Sequence, residues 1–249
     1  MRPEVSQRQP PRSTSALGKG GHVTESAPTL KRAHAGKGAA DWLRAAILGG
    51  QLRPGTKLSE QSLGETLGVS RNTLREAFAV LGAERIVTRI PNRGVFVAQP
   101  SRADVQEMYR IRCILEPAAL LQERTPAAGA TIEPELAAAV QQGLAARERH
   151  DVPGMAAANQ QFHALVVALA GSSRLDTLMA HVQSEMRLVF HAMAADPAFH
   201  APFSSQNAEI LALWRHGQRA QAAANLSNYL AAAQEQVLAA MPHESGRFS

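Results

Sequence analysis

Between Leu52 and Val97 the spacing of apolar residues changes, and the change divides the segment into helices and a hairpin. Leu63, Leu67 and Val69 sit where a short helix and its turn would face a core, and Leu74, Phe78, Val80 and Leu81 recur at helical spacing and are expected to point inward. Ile86–Ile90 and Val95–Val97 then alternate or run apolar on either side of Pro91-Asn92-Arg93-Gly94, a hairpin turn signal. The pattern predicts two short helices, a longer helix starting at Arg71, and a small hairpin. Gly68 falls at the bend between two helices, and Ser70 is suited to cap the longer one, its hydroxyl accepting from a free backbone N–H. Helix, turn, helix and hairpin in that order predict a winged helix-turn-helix.

From Ser101 onward the pattern is different. Ala- and Leu-rich runs keep a helical period, which predicts helices at 102–123, 133–149, 153–170, 174–194, 204–216 and 218–240. Pro134 and Pro153 are expected at helix starts, where a missing N–H costs little, and Pro242 at the end; Pro117 should kink or divide the first helix. The fold expected is mostly α: an N-terminal winged helix-turn-helix over 37–98 and an antiparallel all-helical bundle of about six helices over 99–243. Residues 1–36, rich in Pro, Ser, Gly and Ala, read as a disordered basic tail, and 244–249 as a second tail.

Charge sharpens this division. Residues 1–36 hold six Lys/Arg against two Asp/Glu and 37–98 hold nine against five, whereas 99–249 hold eleven against fourteen. The basic excess lies at one end, as expected when that end approaches phosphate. The tail, with Arg2, Arg8, Arg12, Lys19, Lys31 and Arg32, either adds non-specific DNA affinity through counterion release or is a linker without a role, or follows from an upstream start codon chosen in gene prediction. A lone cysteine, Cys113, excludes an internal disulfide framework, and no run approaches the roughly twenty apolar residues of a membrane helix, so a cytoplasmic protein without a membrane partner is expected.

Arg71 and Arg75, four apart, share the solvent side of the longer helix. Near the start of such a helix, guanidinium groups reach guanine edges or phosphates, Asn72 and Thr73 can bond to bases or backbone, and the hairpin tip would carry Arg93 to the same surface. The bland reading is that these are solvated surface charges; the complete helix-turn-helix-wing order favours DNA.

The segment resembles the GntR family of bacterial transcription regulators through Leu52-Arg53-Pro54-Gly55, Leu58-Ser59-Glu60, Leu63 to Leu67, Gly68-Val69-Ser70-Arg71, Leu74-Arg75-Glu76-Ala77, Leu81, and Asn92-Arg93-Gly94 with Val95 and Val97. The resemblance implies a homodimer with one recognition helix in each of two major grooves of an inverted-repeat operator in double-stranded DNA. It places Gln61, Ser70, Arg71, Asn72, Thr73, Arg75, Arg93 and Gly94 nearest DNA. Gln61 is neutral where some members are basic.

The helical part resembles the FCD effector domain of the FadR-type branch. Tyr109-Arg110-Ile111-Arg112, Leu115-Glu116-Pro117 and Ala118-Ala119 match its opening, Asn159 to His163 with Gly171 its middle, and Ile210-Leu211 through Leu230 its end. Six helices and a short connection after the wing favour the VanR-like subgroup. Many members of this branch hold a divalent metal through one Asp and three His, and the aligned positions here are Asn159, His163, Asn207 and Tyr229. Only His163 keeps a ligand type, so no metal cofactor is expected. Amide, imidazole and phenol groups inside a bundle still need partners. Arg112 matches a position that commonly faces the effector cavity, and Arg187 is expected to point inward one helix away; either would pair with a small carboxylate or phosphate metabolite. The effector positions expected are therefore Arg112, Asn159, His163, Arg187, Asn207 and Tyr229. The alternative has Arg112 bridging to Glu116 one turn on and His163 as a satisfied core histidine.

These features predict a sequence-specific transcriptional repressor, dimeric, with operator binding controlled by an anionic metabolite. Its rival is a ligand-independent DNA-binding regulator that has lost sensing. An enzyme is not expected, because no nucleophile elbow, P-loop, His-Glu-x-x-His or cysteine cluster occurs.

Overall fold

The computed structural model describes residues 35–122, 126–193 and 197–241. The stretches read as tails therefore fall outside the described residues, as does Pro242, except that Ala35 and Gly36 open the first helix. The chain order is α1 (Ala35–Leu48), β1 (Lys57–Leu58), α2 (Glu60–Leu67), α3 (Arg71–Ala83), β2 (Val87–Ile90), β3 (Gly94–Val97) and six further helices: α4 (Arg102–Leu121), α5 (Pro126–Glu148), α6 (Val152–Ala168), α7 (Ser173–Met193), α8 (Pro197–Arg215) and α9 (Arg219–Ala240).

The N-terminal unit forms where local signals agree. Ser59 and Ser70 cap α2 and α3, each hydroxyl accepting from the backbone N–H three residues on, and Gly68 closes α2 in the left-handed conformation at φ 66°. One stripe of each helix is buried: Ala39, Leu43 and Ile47 of α1, Leu63 and Leu67 of α2, Leu74, Ala77, Phe78 and Leu81 of α3. The wing closes over them as an antiparallel sheet in the order β1-β3-β2, with Val87 opposite Val97 and Ile90 opposite Gly94.

Two expectations are corrected here. Only one short helix, α2, precedes α3 between Leu52 and Val97; the other expected helix is replaced by strand β1 and its approach. Pro54 and Gly55, the latter at φ 82°, turn the chain so that Gly55 N–H donates to Val97 O and Val97 N–H to Thr56 O, drawing this backbone into the sheet. Val80 does not face the core but is 48% exposed, because the buried stripe runs through 74, 77, 78 and 81 and leaves position 80 on the flank.

The C-terminal unit packs α4 to α9 around a core of Val105, Met108, Tyr109, Phe162, Val166, Met186, Ile210, Trp214, Leu226 and Leu230. Ser101 and Asp104 form a capping box at the start of α4, and Asp151 caps α6, with Pro153 in its first turn as expected. The other prolines stop less than expected. α4 runs through Pro117 as one helix, α5 begins about two turns before Pro134, and α8 begins at Pro197 and contains Pro202. A proline removes one N–H and crowds the preceding turn, a local cost that burial of a helix face offsets.

The helix α7 packs on both units. Val182, Met186 and Val189 face the bundle, while Leu188, 1% exposed, lies in the core of the N-terminal unit.

Candidate nucleic-acid interface and buried polar core

Arg71, Asn72 and Arg75 are exposed along one side of α3, with Gln61 exposed on α2 and Arg93 and Gly94 exposed at the wing. Gln61, Asn72, Arg75 and Arg93 are each oriented by a neighbour. Asn72 Nδ2 donates to Glu76 (2.9 Å) and Gln61 Nε2 to Glu65 (3.3 Å). Ser70 Oγ is engaged in the α3 cap, accepting from Thr73 N–H at 3.1 Å and lying 2.9 Å from Thr73 Oγ1. At the wing, the Arg93 guanidinium and the Lys57 ammonium lie 5.9 and 6.0 Å from the Phe96 ring centre. Asn92 turns the hairpin at φ 59° and Gly94 at φ 110°, a conformation that side chains rarely adopt.

Arg75 carries a feature the sequence pattern missed. Its Nε and Nη2 donate to Glu60 Oε1 and Oε2 at 3.0 and 3.2 Å, a fork-on-fork pair between α3 and the start of α2. The hydrogen bond from Arg75 holds the Glu60 carboxyl below its ordinary range, with Arg71 and Arg89 adding to the effect. The Leu58-Ser59-Glu60 run at the mouth of α2 was the available signal.

The bundle interior holds five of the six expected effector positions in one connected chain. Arg112 Nε donates to Glu116 Oε1 (2.7 Å), Glu116 Oε2 contacts His163 Nδ1 (2.6 Å), and His163 Nε2 contacts Tyr229 Oη (3.0 Å). Tyr229 Oη lies 3.0 Å from the Asn159 amide, which in turn is 2.7 Å from that of Asn207. Four helices supply these groups: α4, α6, α8 and α9. Asn159 and His163 are one turn apart on α6, as are Arg112 and Glu116 on α4. The Arg112 guanidinium also stacks 5.1 Å from the centre of the Tyr109 ring. Arg187 is half-buried on α7 and is not joined to this chain by any described hydrogen bond or ion pair. Glu116, fully buried, is the member that the effector positions did not include, although its place one turn after Arg112 was visible.

Electrostatics define the state of the chain. Burial acts to raise the Glu116 carboxyl, but Arg112 and His163 outweigh it and hold it below its ordinary value, as a carboxylate. Burial pushes His163 down, and the opposing pull of Glu116 does not restore it, so the imidazole is neutral at pH 7. Burial also pushes the Tyr109 phenol up to about 12 and raises Tyr229 further, so both stay protonated. Arg112 remains a cation with Glu116 as its counter-ion. The guanidinium is therefore already partnered, which is the alternative left open for it.

The donor set does not fit the divalent metal that the FadR-type resemblance implies. Both ring nitrogens of His163 are engaged by Glu116 and Tyr229, Asn159 and Asn207 offer only neutral amides, and Tyr229 keeps its proton. Among the described residues no three His, Cys, Asp or Glu side chains converge to hold an ion. His191 Nε2 is 3.0 Å from Leu48 O and His216 Nδ1 is 2.7 Å from Ala212 O, so neither points toward His163.

Residues 36–97 match the family described as bacterial regulatory proteins, gntR family, and residues 107–232 match the FCD domain. An HTH-type transcriptional regulator from the TAR-I ttuE-ttuC' intergenic region of Agrobacterium vitis is 35% identical over 132 residues, which is 51% of this chain and 76% of that protein. The gluconate operon transcriptional repressor of Bacillus licheniformis is 36% identical over 87 residues, 35% of each chain. Among solved structures, a GntR-type transcriptional regulator from Rhodococcus sp. RHA1 superposes with a TM-score of 0.76 at 36% identity, covering 83% of this chain and 99% of that one.

Proposed function

Because the chain belongs to the GntR family of bacterial transcriptional regulators and carries an FCD domain, we propose that it is a dimeric repressor whose grip on an inverted-repeat operator is set by a small carboxylate or phosphate metabolite. The proposal extends to the VanR-like subgroup, on the strength of six helices after the wing. DNA is read by Arg71, Asn72, Thr73 and Arg75 from the recognition helix, with Gln61 and Ser70 at its approach and Arg93 and Gly94 at the wing. The metabolite is held in the bundle near Arg112, Asn159, His163, Asn207 and Tyr229, without a metal. A boundary near residue 98 separates the two roles, and a cytoplasmic location follows from them.

The observation that carries the reading is the coincidence, in one chain, of a basic helix-and-wing surface and a buried polar chain in a separate core. The ligand's leverage equals its difference in affinity between the two reader arrangements. The gluconate repressors match over only 35% of their length, so their names carry no effector over to this bundle. The Arg112–Glu116 pair favours a second reading, a DNA-binding regulator without sensing, because it neutralises the guanidinium internally.

A titration of the purified protein against its own upstream intergenic DNA, with and without chelator and with added organic acids, separates the two. Site-specific binding released by one acid despite chelation is the expected result. Binding that ignores every acid supports the second reading, and absence of site-specific binding overturns both.

A further inference from the structure

Tyr229 has one hydroxyl proton, yet its oxygen lies 3.0 Å from both His163 Nε2 and a terminal atom of the Asn159 amide. His163 Nδ1, 2.6 Å from the Glu116 carboxylate, is a donor whichever way the phenol turns, because a carboxylate only accepts. If Tyr229 donates to Asn159, then Nε2 must carry a proton of its own to meet the phenol oxygen. His163 would be an imidazolium, and with Arg112 it would set two buried cations against the one carboxylate of Glu116. If Tyr229 donates to Nε2 instead, the imidazole is neutral and the cluster carries one cation and one anion.

The second arrangement fixes the rest of the chain. The phenol oxygen now needs a donor, and the two ends of a carboxamide are nearly isosteric, so Asn159 turns its NH2 toward Tyr229 and Asn207 and gives one N–H to each. Asn207 receives that bond on its carbonyl oxygen. Its own NH2 then occupies the remaining terminal position, which is buried and meets no hydrogen-bond partner among the described residues. An uncompensated cation in an apolar core is costly, and burial already drives His163 toward the neutral form. The charged groups acting on His163, Glu116 and Arg112, both come from α4; α9 contributes the phenol of Tyr229, and α8 the neutral Asn207.

We propose that Arg112, Glu116, His163, Tyr229, Asn159 and Asn207 form a hydrogen-bond relay of fixed direction, and that its free end, an N–H of Asn207, receives an acceptor oxygen of the effector, carboxylate or carbonyl. The ligand class rests on the sensing role proposed above; the direction of the relay does not. A ligand that presented a donor at Asn207 would have to reverse three amide and hydroxyl groups and place a proton on His163. The site thus distinguishes acceptor from donor without a charged residue at the contact, and leaving the Asn207 N–H facing a donor weakens binding about 5- to 150-fold.

The deciding experiment is 15N NMR of the full-length protein with labelled histidine, the His163 signals being assigned by their loss in His163→Asn. At pH 7 the expected spectrum has a protonated Nδ1 and an unprotonated Nε2 that accepts a hydrogen bond. Tyr229→Phe keeps the ring but removes the donor, so Nε2 should move toward the shift of a free, unprotonated nitrogen while Nδ1 stays in place. A protonated Nε2 in the ligand-free protein, or an Nε2 indifferent to Tyr229→Phe, overturns the relay. Thermal shifts with butyrate, butyramide and butylamine then address the ligand class. Stabilisation by either of the first two and not by the amine is expected, and preference for the amine overturns the assigned polarity. A flat response to all three, with the nitrogen shifts as expected, counts against sensing and leaves the relay standing.

Discussion

Glu116→Gln is the substitution that weighs the buried chain. Glu116 is fully buried and accepts from Arg112 at 2.7 Å and His163 at 2.6 Å, so the change removes a charge from between two donors without changing volume. Arg112, 5% exposed, then holds a cation over Tyr109 with no counter-ion. Removing one partner of a buried pair costs about 3–5 kcal/mol, since the survivor keeps its desolvation penalty. For a chain of this size that corresponds to a fall in Tm of roughly 6–20 °C. The double variant Arg112→Met, Glu116→Leu removes both charges, and its remaining loss is the acceptor for His163 Nδ1, about 1–3 kcal/mol. Urea unfolding followed by circular dichroism, in the presence of chelator, gives both numbers. The reasoning fails if Glu116→Gln lies within about 1 kcal/mol of the parent, or if the double variant is less stable than the single one.

Arg71→Ala and Arg75→Ala should each cost on the order of 1–3 kcal/mol in operator affinity and leave the fold intact; unchanged gel-shift titrations would remove the arginines from the interface. Glu185, buried on α7 and pushed up to about 7 chiefly by that burial, favours folding in its protonated form, so its contribution is complete below pH 4.5, its ordinary value, and is lost as pH rises toward 7. Glu185→Gln should flatten the decline in Tm across that window, and an unchanged pH profile would show that the carboxyl is solvated. Leu188→Ala empties a site in the N-terminal core from a helix of the bundle and should cost about 2–5 kcal/mol; a loss below about 1 kcal/mol would mean that the two units are not packed through it.

What was legible in the sequence was what short range decides. Ser70 and Gly68 set the ends of α3 and α2 through contacts three or four residues away, and the hairpin turn follows from Asn92 and Gly94. The strand Lys57–Leu58 was not legible, because two residues carry no period and their partners, Phe96 and Val95, are nearly forty positions on. Pro117 and Pro134 misled for a related reason, since packing of the surrounding helix outweighs the one N–H each removes. In the polar core, the Arg112–Glu116 bridge is a one-turn contact and stood open as an alternative. The contact from Glu116 to His163 spans 47 positions, and only the packing of α4 on α6 brings it about. That contact engages only Nδ1, as a carboxylate also does behind a metal-ligating histidine; it is Tyr229 at Nε2 and the neutral amides of Asn159 and Asn207 that fail to make a metal's donor set.

The same packing sets how the bundle is connected to the reader. α6, which carries Asn159 and His163, packs on α7, and α7 reaches α1, the helix against which α3 is seated. The junction is small. Among the described residues it includes Leu188 in the N-terminal core and His191, whose Nε2–H donates to the Leu48 carbonyl at 3.0 Å, the free end of α1. Gly50, at φ 80°, keeps the following turn clear, since a Cβ there would stand 3.1 Å from the His191 ring. A hydrogen bond of this kind contributes about 1 kcal/mol. A ligand that prefers one arrangement of the bundle tenfold supplies about 1.4 kcal/mol. A tenfold preference therefore matches the His191–Leu48 hydrogen bond alone; drawing Leu188 out of the N-terminal core as well, at about 2–5 kcal/mol, would take a preference of roughly 10²–10⁴-fold.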